Sequence, residues 1–165
     1  MTPTSAEPPP RTVAWLGYGG LLPFVALAAA TVAAQLSGQN SGQNPHAWNA
    51  ALLAYGAAIL SFVGALHWGF AMTLRELTAR QQTASFVWSV VPALVAWIAL
   101  LTSPLVAAVL LVTGFCIHYR QDRRLAAHAD LPGWYLPTRL RLTMVACLCL
   151  CVGALAPLLR TLPGA

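Results

Sequence analysis

His67 and Trp68 stand side by side inside a stretch that carries no formal charge from Thr12 to Leu74. An imidazole can ligate a metal or a haem iron, or pass a proton. A ring that titrates within so apolar a segment is expected to face the interior of a helix bundle rather than hydrocarbon. His118 is a second imidazole within an apolar block. Two His on facing helices could hold haem or take part in proton transfer, but no spacing in the sequence brings these two together. The plainer reading of each is a neutral ring donating to a carbonyl or hydroxyl on a neighbour.

The second region able to do chemistry runs from Tyr119 to Thr143, YRQDRRLAAHADLPGWYLPTRLRLT. Asp122 and Arg139 sit at the same-side ends of consecutive apolar blocks, so they can pair. Trp134 and Tyr135 have the amphipathic character of membrane-interface anchors. Pro137 suits the first position of a helix, where its missing N–H costs nothing. The Arg residues read either as topology signals in contact with anionic lipid or as forks for a substrate anion.

Only a membrane bundle positions such residues in a chain of this composition. Of 165 residues, 58% are hydrophobic and 8% charged, against roughly 25% charged in soluble domains. The net charge of +5 comes from Arg alone, since Lys is absent. The Arg residues punctuate the ends of apolar blocks instead of forming one basic patch, which argues against nucleic-acid binding. Cys116, Cys147, Cys149 and Cys151 lie within apolar blocks and read as small hydrophobes. Cys147 and Cys151 share a helical face, but Cys149 does not, and no carboxylate is near, so no metal site is expected there.

The pattern predicts an all-α integral membrane protein, a five-helix transmembrane bundle. Residues 1–11 read as a Pro-rich disordered tail and 12–160 as a single transmembrane domain. Its helices are expected at about 13–36, 49–72, 84–101, 104–120 and 138–159, with the first interrupted by Pro23. The first block exceeds the 7–15 residues of a signal-peptide core, which favours a retained span. Ser37 to His46 repeats SGQN and reads as a polar loop. Thr102-Ser103-Pro104 is a tight turn, which makes the third and fourth blocks two spans or, alternatively, a re-entrant hairpin. Eight of the Arg residues fall on one side of this threading and only Arg160 on the other. The positive-inside rule then sets the N-terminus in the cytoplasm and the C-terminus outside.

In the second block, Ala57, Ser61, Ala65 and Gly69 recur at four-residue spacing, with Gly64 on the adjoining strip. Small residues so placed let helix backbones approach closely in lipid. Gly64 lies one turn before His67, which points the ring toward the bundle. The chain holds no P-loop, no HExxH, no GxSxG and no paired carboxylates. An enzyme is therefore not the expected reading.

Three segments carry a family likeness: LLAYGAAILSFVGALHWGFAM, VVPALVAWIALL and LPGWYLPTRLRLT, with the opening LGYGGLLPFVALA. From about Trp15 to Leu155 the chain resembles the family defined by domain of unknown function 3429. That family includes bacterial proteins and the mitochondrial transmembrane protein 69. Matching residues are Tyr55, Gly56, Ser61, Gly64, His67, Trp68, Gly69, Pro92, Trp97, Trp134, Tyr135, Arg139 and Thr143. The resemblance implies a small multi-pass protein of a bacterial or mitochondrial inner membrane and brings no activity or cofactor. The Arg-only basic set suits the bacterial cytoplasmic membrane. The leading functional expectation is a structural or assembly partner of other membrane subunits. The alternatives are a small transporter with its site near His67, although five spans make no obvious inverted repeat, and a haem or redox protein using His67 and His118.

Overall fold

Hydrophobic runs of about 20 residues form helices that satisfy their own backbone in lipid, and five such spans build the computed structural model, which describes residues 8–37 and 44–161. The first span is α1 (Arg11–Gly19) followed by α2 (Leu22–Leu36). The others are α3 (Pro45–Thr73), α4 (Ala79–Leu100), α5 (Pro104–Ala126) and α6 (Tyr135–Leu155), the last continued by a 3-10 turn from Ala156 to Thr161. No strand occurs among the described residues. The proposed tail falls mostly in residues 1–7 and the SGQN loop mostly in 38–43, both outside the described residues.

Local chemistry moves several boundaries away from the expected ones. The first span breaks at Gly20–Leu21, not at Pro23, which lies in the first turn of α2 where no helical N–H is needed. The Gly20 carbonyl receives the Tyr55 hydroxyl at 2.8 Å, tying the break to α3. Helix α3 starts at Pro45 because Asn44 caps it, accepting from the His46 and Ala47 amides. Helix α4 starts at Ala79 behind a Thr78–Gln81 capping box, so Arg80 is helical. Helix α5 runs on through Arg120, Arg123 and Arg124 to Ala126, which makes Asp122 a helical residue. Helix α6 begins at Tyr135, placing Pro137 at the third helical position instead of the first.

Helix α3 packs against α2, α4, α5 and α6 and is the centre of the bundle. Phe24, Leu52, Leu60, Leu111, Phe115 and Leu150 fill the core. Large apolar side chains such as Trp15, Leu16, Phe62, Leu101 and Leu105 point outward, as a lipid-facing surface requires. Helices α3 and α4 come close together at Gly64. A Cβ on Gly64 would lie 2.9 Å from Pro92 Cβ and Cγ and 3.1 Å from the Ser89 carbonyl oxygen. The small-residue strip needs a correction here. Ala57 is buried and Ser61 half-buried, but Ala65 and Gly69 are exposed, and nothing lies within 4 Å of a Cβ built on Gly69. The face in use is Gly56, Ala57, Leu60, Val63, Gly64, His67 and Ala71. The 3.6-residue turn carries a strict four-residue strip around the helix, away from the contact.

Candidate functional site

The Gly64–Pro92 contact fixes the rotation of α3, and that rotation sends His67, one turn later, into the bundle. His67 is 3% exposed. It sits six residues before the end of α3, or roughly 9 Å along the axis. On α5 the same 3.6-residue spacing stacks His118 and Asp122 on one face, and both are fully buried. Helix α6 brings Tyr135 and Arg139, also one turn apart, to the same point. The result is a polar cluster at the end of the bundle that carries Arg75, Arg80 and the arginines of the last turns of α5.

Asp122 is its hub. Arg139 donates Nε to Asp122 Oδ2 at 2.9 Å, and Tyr135 donates its hydroxyl to Oδ1 at 3.3 Å. The Nε2 atoms of His67 and His118 stand 3.8 and 3.7 Å from the same Oδ1, beyond hydrogen-bond reach. The two imidazoles meet edge to face with centroids 4.9 Å apart. Trp88 of α4 donates its indole N–H to His118 Nδ1 at 3.2 Å. Four helices thus contribute to one desolvated cluster. A buried carboxylate persists at such a depth only with a paired charge and further donors, and Asp122 has both.

Two imidazole nitrogens are left over. Neither ring nitrogen of His67 has a hydrogen-bond partner, although both atoms are shut off from solvent. Buried polar groups in this condition are rare. His67 also walls a cavity of about 160 Å³ at the arginine-rich end, together with Gln81, Ser85, Trp88, Gln121, Arg124 and His128. That space exceeds the minimum needed for a water molecule. On the other side of the ion pair, Trp134, Tyr135 and Arg139 wall an apolar groove of about 510 Å³ bounded by α1, α2, α3 and α6.

His67, Asp122, Tyr135 and Arg139 therefore converge on one cluster. Trp134 lies beside it, edge-on to Tyr135. Trp68 does not take part. It is 51% exposed and rests edge-on against Phe86 of α4 at 4.9 Å, on the outer surface. Sequence reasoning did not single out Trp88. The buried Ser85, Ser89 and Pro92 that flank it on α4 mark an inward polar face and were the available signal.

His67, His118 and Asp122 offer ligand atoms within 4.8 Å of one another, close enough for a metal ion. Two neighbours oppose a cation. The Arg139 guanidinium already occupies the carboxylate. Trp88 donates to His118 Nδ1, so a neutral ring carries its proton on Nε2, the nitrogen that would have to ligate. The contact between the rings also leaves no slot between them for a porphyrin plane.

A family model described as a protein of unknown function, DUF3429, matches residues 9–155. Transmembrane protein 69 of Xenopus tropicalis is 38% identical over 139 residues, 83% of this chain and 51% of that relative. The chain thus spans about half the length of the curated relative it matches. No solved structure matches.

Proposed function

We propose, from the premise that this chain belongs to the DUF3429 family, that it is a multi-pass membrane protein working as a small transporter or permease through the cavity walled by His67. The observation that carries this reading is His67 itself. It is 3% exposed, both of its ring nitrogens lack a partner, and it borders a cavity at one end of the bundle. An imidazole kept only for packing would be expected to have found a hydrogen bond. The arginine distribution supports the N-terminus and this cavity on the cytoplasmic side. The all-Arg basic set supports a bacterial cytoplasmic membrane as the setting, while the frog relative fits a eukaryotic branch of the same family. The test is His67→Ala in cells whose growth depends on the chain. Growth, proton flux and uptake should fall while the protein stays in the membrane at its normal level.

A second reading, a structural or assembly partner of other membrane subunits, is favoured by the way Asp122 ties α5 and α6 together beside an apolar groove. Extraction in mild detergent should then recover a stable complex, and a partner-free monomer would count against it. The Arg cluster at the same end suits anionic lipid headgroups under either reading.

A further inference from the structure

We infer that the His67 cavity takes a small oxyanion, either an inorganic phosphate-like ion or a short carboxylate. This rests on the solute-handling reading above and names the substrate class of that same site.

The argument begins with which polar atoms the walls leave over. Gln81 turns its side-chain oxygen to the helix start, where it accepts from the Thr78 amide at 2.9 Å and the Thr78 hydroxyl at 2.8 Å. Gln121 uses its oxygen to accept from Arg124 Nη1 at 3.2 Å. In both side chains the acceptor is engaged, and the amide nitrogen is the end left to donate. Arg124 has five N–H groups, and only one of them is held by Gln121. Ser85 adds a hydroxyl. None of the residues lining the cavity is Asp or Glu. Most of the wall is apolar, with Leu77, Ala84, Trp88 and Leu125 among its residues, so its few polar groups decide what it accepts. Donors, one exposed cation and no carboxylate are complementary to an anion.

His67 supplies the independent sign of a ligand. Its nitrogens are buried and unpartnered, and the residue is part of the wall of the same cavity. A small rotation of the ring would let an anion oxygen accept the proton of one of them. Asp122 lies behind His67 and does not line the cavity, and Arg139 and Tyr135 already hold its two oxygens. Its charge is thereby masked from an incoming anion. Size narrows the class further. About 160 Å³ is well below the volume of sites for drug-sized ligands, so the occupant has only a few heavy atoms.

The test uses the full chain, purified in a non-ionic detergent. Probes are sodium phosphate and sodium acetate, compared with sodium chloride, zinc chloride and guanidinium chloride at matched ionic strength. Phosphate or acetate should bind saturably by calorimetry and raise the unfolding temperature, with no such effect from zinc or guanidinium. Arg124→Gln, at an exposed position that should not disturb folding, should weaken that binding about tenfold or more. Ser85→Asp should abolish it with helicity by circular dichroism unchanged. Saturable zinc or guanidinium binding in place of the oxyanions would overturn the anion class, as would oxyanion binding unaffected by Arg124→Gln. The two readings separate cleanly. If His67→Ala stops growth and uptake but no oxyanion binds, only the anion assignment fails. If an oxyanion binds but His67→Ala changes nothing in cells, the transport reading fails and the site remains.

Discussion

Asp122 on α5 and Arg139 on α6 form an ion pair at 2.9 Å whose carboxylate is wholly buried among membrane-spanning helices. The pair is seventeen residues apart in sequence and joins the ends of two consecutive spans. The Arg139 guanidinium also offsets the charge of a carboxylate that lies 3.8 Å from the His67 ring. The energetics of the pair give the first prediction.

Asp122→Asn leaves the Arg139 guanidinium without its counter-charge. Loss of one partner of a buried pair costs roughly 3–5 kcal/mol, so the variant should unfold in detergent at a clearly lower denaturant concentration. Removing both charges, as Asp122→Asn with Arg139→Met, should recover a large part of that loss. A double variant no better than the single one would show that the pair is not the source of the cost.

The Gly64–Pro92 contact sets the register of α3 against α4. Gly64→Ala puts a methyl 2.9 Å from two Pro92 carbons and 3.1 Å from a backbone oxygen, so a helix must shift. Overpacking of this kind costs about 1–3 kcal/mol. Gly69→Ala meets no atom within 4 Å and should change stability little. Thermal unfolding of the two variants side by side checks the assigned packing face. Equal loss at both positions would refute it.

Trp88→Phe keeps a ring against His118 and removes the indole N–H. One buried hydrogen bond is lost and His118 Nδ1 is left without its donor, at a cost of about 1–3 kcal/mol. The change should also relax the constraint on the His118 proton. Nitrogen chemical shifts of labelled His118 should then report a changed tautomer balance, whereas an unchanged spectrum would mean that Trp88 does not control it.

Much of this was legible in the sequence, for physical reasons. Five spans follow from the apolar blocks, and the turn at Thr102–Pro104 separates two of them in the structure. The Asp122–Arg139 pair was readable because both residues sit at the same-side ends of neighbouring spans. The meeting of His67 and His118 was not. It depends on how α3 and α5 rotate about their axes, and close contacts such as Gly64 on Pro92 and Leu60 near Gly114 set that rotation. The small-residue strip misled at Ala65 and Gly69 for the same reason, because a four-residue repeat drifts off a face that follows 3.6 residues per turn. Adjacency misled for Trp68. Neighbours on a helix point about 100° apart, so one of the pair faces the cluster and the other the surface.

That divergence provides the most direct measurement of the central claim, that the chain works through the cavity at His67. His67→Ala and Trp68→Ala are compared in cells whose growth depends on the chain, with membrane levels of each variant matched. The expected result is loss of growth and uptake in His67→Ala and near-normal behaviour in Trp68→Ala. Unchanged growth, proton flux and uptake in His67→Ala would contradict the account.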